Sequence, residues 1–387
     1  MRHLVVVGAS LAGLRAAEAA RAAGFDGELT LVGAEPHPPY NRPPLSKQLL
    51  AGTMDPAATA LRHGLQATWR LGVAAVGLDA SRRLVRLSDG DELAYDAIVV
   101  ATGSAARPWP APLPELRGLH ALRDLDDALA LRAAAAPARH VVIVGAGFIG
   151  CEVAATLRAS GKEVTLVDVA AHPMLPLGPQ LGEIWADKHR ASGVELRLET
   201  GVAEFEGSDG ELTAVRLDDG DVLDADLGLI AVGAVPCSGW LAGSGVTLEP
   251  GVVCDSTCAA VGVDAVFAAG DVARWPHPLA DDALVRVEHW SNAAEMGEVA
   301  GHNAVVPAAA RRVHAAVPTF WSDQYDWKIQ SVGFPHLAER FDIAEGDPAE
   351  GRLFAIGERA GRPVAAVGVN AARRMIEFEM SLEAPVA

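Results

Sequence analysis

The chain has 387 residues, enough for two or three domains, so a single small module is excluded. Half of the residues are hydrophobic and 21% are charged, a globular composition that excludes wholesale disorder. The net charge of −18 disfavours nucleic acid and membrane surfaces as partners. Four cysteines make no disulfide framework, and the N-terminus enters an apolar strand without a signal-peptide layout. We therefore expect a soluble protein of a reducing compartment, the cytoplasm.

The first predicted elements form a βαβ unit with a glycine-rich turn. An apolar strand, His3–Val7, leads into a turn in which Gly8, Ser10 and Gly13 occupy the three positions of G-x-G-x-x-G, and an Ala-rich helix follows. These positions allow a tight turn, backbone approach to a pyrophosphate, and close helix–strand packing. Glu35 follows Gly13 by 22 residues and is placed to accept from ribose hydroxyls. The segment predicts a dinucleotide site, although a plain tight turn has the same pattern.

A second copy of this plan begins at His140–Val144. Gly145, Gly147 and Gly150 match the glycine motif without substitution, and Asp168 follows Gly150 by 18 residues. An acid at this position favours a free 2′-hydroxyl over a 2′-phosphate, so we predict NADH rather than NADPH. Two such sites allow one nucleotide to stay as a fixed redox cofactor while the other exchanges.

The two copies continue alike. Asp89-Gly90 and Asp219-Gly220 predict hairpin turns, each followed by an apolar strand, Ala97–Val100 or Leu227–Ile230. A further strand-like segment, Ala265–Ala269, has no βαβ unit of its own. We expect it to complete the first sheet, with the second domain inserted between.

Three strings are more specific than the glycine motifs: Arg42-Pro43-Pro44-Leu45-Ser46-Lys47, Glu288-His289-Trp290 and Phe320-Trp321-Ser322-Asp323-Gln324-Tyr325. With them the chain resembles, from about residue 3 to its end, the FAD-dependent NAD(P)H:ferredoxin reductases. This family includes putidaredoxin reductase, rubredoxin reductase and the reductase components of aromatic-ring dioxygenases.

The resemblance implies an α/β fold with glutathione-reductase-like architecture. Two Rossmann-like domains, the second inserted in the first, would precede a C-terminal α+β domain. The expected division is FAD-binding for residues 1–110 and 240–315, NAD-binding for 111–239, and a C-terminal interface domain for 316–387.

The resemblance also implies site residues. Lys47 would lie near the isoalloxazine and Glu152 near the nicotinamide, as tuning and positioning residues of the catalytic centre. The expected FAD contacts are Gly8, Ser10, Gly13, Glu35, Arg42, Lys47, Ala101, Gly103, Arg123, Gly270, Asp271, Glu288, His289, Trp290 and Trp321. The expected NADH contacts are Gly145, Gly147, Ile149, Gly150, Glu152, Asp168 and Gly233.

The cysteines disfavour dithiol chemistry and a metal site in this chain. No cysteine precedes Cys151, and Cys254 and Cys258 have neither redox nor metal-cluster spacing. An iron–sulfur cluster is therefore expected on a partner.

The predicted function is NADH-driven, FAD-mediated reduction of a two-iron ferredoxin that serves an oxygenase. A flavin NADH oxidase, a quinone or monodehydroascorbate-type reductase, and an NADH-sensing flavoprotein remain as alternatives. An acidic ferredoxin would need a local basic surface, for which the candidates are Arg311, Arg312, Lys328, Arg373 and Arg374. The sequence leaves monomer and homodimer open.

Overall fold

The computed structural model describes residues 1–383, which divide into two compact units. The first unit contains Met1–Asn41, Ala60–Ala105 and Val235–Phe320; the second contains Arg42–Thr59, Ala106–Ala234 and the chain from Trp321 onward. The described residues form six α-helices, none of which combines the length and apolarity needed to cross a membrane. They are α1 (Leu11–Ala22), α2 (Leu125–Ala135), α3 (Phe148–Ala159), α4 (Gly178–Ala191), α5 (Trp290–Val305) and α6 (Ala372–Glu383).

A five-stranded parallel sheet forms the centre of the first unit. Four of its strands are short apolar runs that are almost fully buried, as expected for parallel strands covered by helices, whereas the edge strand Thr68–Leu71 is only partly buried. In spatial order they are Val266–Ala268, Ala97–Val100, His3–Val7, Glu28–Gly33 and Thr68–Leu71. The parallel pairing of Val266–Ala268 with Ala97–Val100 confirms that the late strand returns to the first sheet.

Helices α1 and α5 pack at backbone distance in the first unit. A Cβ at Gly301 would lie 1.9 Å from the carbonyl oxygen of Ala16, and one at Gly297 would lie 2.5 Å from that of Ala12. The small residues of both helices therefore fix how α5 lies against the helix that follows the first glycine turn.

Two smaller sheets complete the first unit. They comprise Ala75–Asp79, Leu84–Leu87 and Glu92–Ala94, and then Val252–Val253, Ala273–Pro276 and Leu284–Val285. The antiparallel register Val85↔Leu93 confirms the hairpin predicted at Asp89-Gly90.

The second unit repeats the parallel plan. Its sheet has the spatial order Glu195–Leu198, Glu163–Asp168, His140–Val144, Leu227–Ile230 and Leu119–Ala121. An antiparallel sheet of Val202–Ser208, Glu211–Leu217 and Val222–Asp224 confirms the hairpin predicted at Asp219-Gly220. Phe205 and Val215 from this antiparallel sheet pack with Val142 and Val167 in one buried core.

A five-stranded sheet and α6 form the C-terminal region. The strand order is Thr319–Gln324, Trp327–Gly333, Arg362–Val369, Leu353–Arg359 and Arg340–Glu345. Within this sheet, Arg362–Val369 pairs antiparallel with Trp327–Gly333 and with Leu353–Arg359, and Leu353–Arg359 pairs antiparallel with Arg340–Glu345. This agrees with the α+β region predicted for the C-terminal part.

Short elements connect these sheets. The loop after Arg42 contains a π-helical turn, Leu45–Leu49, and two short strands, Ser104–Ala106 and Ala234–Pro236, occur where the chain passes between units. The 3₁₀ turns are Pro56–Thr59, Leu175–Leu177, Gly239–Leu241, Gly270–Val272, Pro278–Ala280, Ala308–Ala310, Pro335–Leu337 and Pro348–Glu350. The architecture confirms the predicted fold class; the three domain boundaries stay a prediction.

Candidate nucleotide and redox sites

The two glycine turns have nearly the same geometry, one in each unit. Gly8 has φ +119°, and a Cβ there would lie 2.0 Å from the carbonyl oxygen of Ala101. Gly145 has φ +109°, and a Cβ there would lie 2.3 Å from the carbonyl oxygen of Ala231. Two independent features therefore require glycine at each first position: the positive φ, and the end of the neighbouring strand, which leaves no room for a Cβ.

The remaining positions of both turns fit a pyrophosphate. A Cβ at Gly13 would lie 1.8 Å from the carbonyl oxygen of Gly8, and one at Gly150 would lie 1.9 Å from that of Gly145, so each helix begins directly against its turn. A Cβ at Gly147 would meet nothing within 4 Å, which leaves space at the middle position.

The helices that follow the turns are also uncapped. The N-cap residues Ser10 and Gly147 make no side-chain hydrogen bond to the helix, whereas α2 has a full capping box between Asp124 and Asp127. The first N–H groups of α1 and α3 are therefore not engaged by an N-cap side chain, which suits them to bind phosphate oxygens. The donor set fits FAD at one turn and NAD(P)H at the other.

The two predicted ribose acids are held in different ways. Glu35 is half-buried and accepts a hydrogen bond from the Tyr40 hydroxyl, within the proline-rich loop. Asp168 accepts from the backbone N–H groups of Ala146 and Ala170, the latter at 2.8 Å. The second acid is thus attached to its own glycine turn, whereas the first is oriented by a side chain.

Ordered polar contacts hold several other predicted FAD residues in the first unit. The Ser104 hydroxyl donates to the Asp271 carboxylate at 2.8 Å, and the Arg286 guanidinium donates to the Asp271 carbonyl oxygen at 3.1 Å. Arg286 also pairs with Glu288. The carbonyl oxygen of Gly103 accepts from the N–H of Cys237.

Contacts of His289 and Trp290 with other segments of the first unit hold the start of α5 in place. The Trp290 indole N–H donates to the side-chain oxygen of Asn41 at 3.1 Å, and the ring centroids of His289 and Phe320 lie 4.9 Å apart. Gly270 lies close to Ala293 of α5 and has φ +74°. A Cβ added at Gly270 would lie 3.1 Å from the Cβ of Ala12. These residues share a unit with the first glycine turn.

The remaining predicted residues belong to the second unit. The Arg42 guanidinium donates to the carbonyl oxygen of Arg123 at 2.7 Å, so the structure brings these two arginines together. Trp321 and Ile149 are 37% and 43% exposed. Gly233 accepts from the N–H of Arg107 and has φ +99°.

Lys47 and Glu152 form a buried ion pair. The ammonium lies 2.7 Å from a carboxylate oxygen of Glu152, and the two side chains are only 10% and 5% exposed. The same carboxylate accepts from the hydroxyls of Ser46 and Ser322, the latter at 2.7 Å. Buried charges need such partners, because an unpaired charge is costly in a region of low dielectric constant.

On the sequence alone, neither Ser46 nor Ser322 is paired with Glu152. The sequence did contain one signal for Ser322: it lies two residues before Gln324 in a strand, so both polar side chains point to the same face.

Three of the four cysteines are placed for packing rather than for thiol chemistry. Cys151, Cys254 and Cys258 are buried free thiols. Burial raises the pKa of Cys254 to about 12 and that of Cys151 further, so neither is ionised at neutral pH. Within residues 1–383 no group of three or more His, Cys, Asp or Glu side chains is arranged to hold a metal ion.

Comparison with known proteins identifies the family. Residues 2–297 match the pyridine nucleotide-disulphide oxidoreductase family, and residues 319–386 match the reductase C-terminal family. A ferredoxin–NAD(P)⁺ reductase from Sphingomonas is 34% identical, over 98% of this chain and 92% of the relative. The biphenyl dioxygenase system ferredoxin–NAD⁺ reductase component of Paraburkholderia xenovorans is 34% identical, over 96% and 90%.

A solved structure agrees. The crystal structure of the covalent putidaredoxin reductase–putidaredoxin complex contains a chain that matches with a TM-score of 0.92 and 30% identity, over 98% of this chain and 92% of that one. The predicted family, fold and FAD and NAD(P)H cofactors are confirmed. The chain belongs to the pyridine nucleotide-disulphide oxidoreductase family and, within it, to the FAD-dependent NAD(P)H:ferredoxin reductases.

Proposed function

We propose that this chain passes electrons from NADH through FAD to a two-iron ferredoxin that serves an oxygenase. One observation carries the proposal: two nucleotide turns of the same plan lie on one chain that continues into a reductase C-terminal domain. Bound FAD would supply the chemistry that accepts a hydride and releases electrons singly. The chain's own residues bind, orient and shield the reacting groups.

In this proposal the first glycine turn would hold FAD. The N–H groups at the start of α1, next to Gly8 and Ser10, would donate to its pyrophosphate, and Glu35 would accept from the adenosine ribose. Asp271, oriented by Ser104, would hold the ribityl end. The domain division given above, with residues 1–110 and 240–315 for FAD and 111–239 for NAD, is part of the proposal.

Lys47 and Glu152 are proposed as the charged pair beside the flavin and the nicotinamide. Their burial supports this role, because a solvated pair would exert only a weak, screened field. Glu152 balances the buried charge of the Lys47 ammonium and fixes its position. Lys47 would in turn place its ammonium where reduction creates negative charge.

The second turn is proposed to bind NADH rather than NADPH. Asp168 lies at the end of the strand Glu163–Asp168 and its carboxylate is held by two backbone N–H groups. A fixed carboxylate accepts from a ribose 2′-hydroxyl and repels a 2′-phosphate.

The basic residues that are candidates for ferredoxin docking differ in whether they already form ion pairs with acidic residues of this chain. Arg373 pairs with Glu377, and Arg374 pairs with both Glu345 and Glu377. Arg312 and Lys328 are exposed, and neither has an ion pair within residues 1–383. We therefore propose that Arg312 and Lys328 contribute more to recognition of an acidic ferredoxin than Arg373 and Arg374 do.

We also propose a cytoplasmic location. Cys151, Cys254 and Cys258 are free thiols, and a reducing compartment preserves free thiols.

The proposal is tested by anaerobic, NADH-driven reduction of cytochrome c with and without added two-iron ferredoxin. A rate that depends strongly on ferredoxin is the expected result. Flavin that bleaches with NADH but passes nothing to any ferredoxin would support a small-molecule reductase instead. Flavin that NADH does not bleach would favour a sensor.

A further inference from the structure

We propose that Ser322, supported by Gln324, is a positioning residue that holds the Glu152 carboxylate opposite Lys47. The C-terminal strand would thereby set the geometry of the charged pair. The inference rests on the proposed function for its consequence, because the pair matters to hydride transfer only if it lies beside the flavin.

The strand Thr319–Gln324 directs alternate side chains to opposite faces. Ser322 and Gln324 are 0% and 2% exposed, whereas Trp321, on the other face, is 37% exposed. Two polar side chains on the buried face of a strand need partners there. Those partners come from the second nucleotide-binding region.

The hydrogen bonds run in one direction towards the carboxylate. The Gln324 amide donates to the Ser322 oxygen at 3.1 Å, and the Ser322 hydroxyl donates to Glu152 Oε1 at 2.7 Å. The other carboxylate oxygen, Oε2, accepts a hydrogen bond from the Ser46 hydroxyl and forms the ion pair with the Lys47 ammonium. Each donor in such a chain polarises the next, so Gln324 strengthens the bond that Ser322 makes.

Both carboxylate oxygens therefore have defined partners, from different parts of the chain. Lys47 and Ser46 come from the π-helical turn, which the Thr156 hydroxyl of α3 also holds through the Ser46 carbonyl oxygen at 2.9 Å. Ser322 is the donor on Oε1. Without it, Oε1 has no replacement hydroxyl or ammonium at hydrogen-bond distance among the described contacts, and the carboxylate is free to turn.

The far end of the strand is fixed against α4. The Tyr325 hydroxyl and His189 Nδ1 lie 2.8 Å apart, and Lys188 forms an ion pair with Asp326. The Lys188 ammonium also lies 5.1 Å from the ring centroid of Trp327. These contacts hold the strand in place, so that the position of Ser322 is determined by the fold rather than by its bond to Glu152.

The first test compares Ser322→Ala with Ser331→Ala in the FAD-bound protein. Ser331 lies in the same sheet, is 1% exposed, and its hydroxyl has no hydrogen-bond partner among the described residues. In stopped-flow experiments we expect Ser322→Ala to lower the limiting rate of flavin reduction roughly 10- to 100-fold, the effect of losing one hydrogen bond to a charged group. The dissociation constant of NADH should stay within about twofold, and Ser331→Ala should match the unmodified protein.

The second test uses thermal unfolding of the FAD-bound protein in a double-mutant cycle of Ser322→Ala and Glu152→Ala. If Ser322 acts through Glu152, the double variant should unfold within about one degree of Glu152→Ala alone, although Ser322→Ala by itself lowers Tm by a few degrees. Additive losses of Tm, or a limiting rate in Ser322→Ala equal to that of the unmodified protein, would overturn the inference.

Failure of the proposed function has a different signature. Flavin in the unmodified protein that NADH does not reduce, or that reduces no ferredoxin, would reject the function. The unfolding cycle would still decide whether Ser322 holds Glu152.

Discussion

The two nucleotide turns share the same local plan but differ in what surrounds them. In both, the first glycine lies against a strand end and the helix begins without a side-chain cap. In the first copy, α1 packs at backbone distance on α5. In the second copy, the helix α3 carries a buried charge instead.

The difference is clearest at one aligned position, two residues after the third glycine. The first copy has Arg15, whose pair with Glu18 leaves both side chains about one-third exposed. The second copy has Glu152, buried against Lys47, Ser46 and Ser322. A common backbone plan thus supports a surface pair in one copy and a buried charge centre in the other, because the surrounding elements decide burial.

The largest expected effect separates the functions of the two turns. Gly13→Ala and Gly150→Ala each place a Cβ within 2 Å of a backbone oxygen. We expect Gly13→Ala to yield protein without bound FAD, and Gly150→Ala to keep FAD but lose roughly 100-fold in its rate of reduction by NADH. Visible absorbance and stopped-flow reduction measure the two outcomes. Equal loss of FAD in both variants would contradict this division of labour.

The second prediction concerns the ion pairs at the aligned positions Glu152 and Arg15. Lys47→Ala leaves Glu152 buried without its counter-ion, so the free energy of unfolding should fall by about 3 kcal/mol and flavin reduction should slow while FAD stays bound. The matched control, Arg15→Ala, removes an exposed pair and should cost less than about 1 kcal/mol. Urea denaturation and reduction kinetics provide the measurements. Unchanged kinetics in Lys47→Ala would remove Lys47 from the mechanism.

Acid stability provides a third test with one histidine in each unit. Burial lowers the pKa of His189 and of His314 from 6.5 to about 4. Between these values the unfolded chain binds protons that the folded chain excludes, so stability falls as pH decreases from 6.5 to 4, by up to about 3 kcal/mol per histidine.

Replacement by glutamine should flatten this dependence. His189→Gln and His314→Gln should each reduce the loss of Tm between pH 6.5 and 4, whereas His63→Gln, at an exposed position, should not. Parallel curves for all four proteins would show that neither buried imidazole controls acid stability.

The smallest effect concerns nucleotide choice. Asp168→Ser removes the carboxylate that would repel a 2′-phosphate, so kcat/KM with NADPH should rise relative to NADH by roughly tenfold, or about 1.4 kcal/mol. Glu35→Gln, the corresponding change in the first copy, should leave that ratio unchanged. An unmodified protein that already uses NADPH as efficiently as NADH would refute the role of Asp168.

Local pattern was sufficient for much of this structure. The strands His3–Val7 and His140–Val144, both glycine turns and both hairpins follow from apolar runs and turn residues that act over a few positions. The specific strings around Lys47 and Trp321 indicated the family. Helices α2 and α4 lie outside the elements predicted above, although α2 is rich in Ala and Leu and begins after the N-cap Asp124, which are both helix signals.

The contacts between distant segments could not be read in the same way. That Ser322 donates to a carboxylate 170 positions away, that Arg42 meets the Arg123 carbonyl oxygen, and that Tyr40 orients Glu35 depend on side-chain directions after folding. The sequence by itself determined the repeated nucleotide-binding plan, because glycines and apolar periods act locally. Only the tertiary structure decided which polar groups became buried partners, because burial depends on every element that packs around a site.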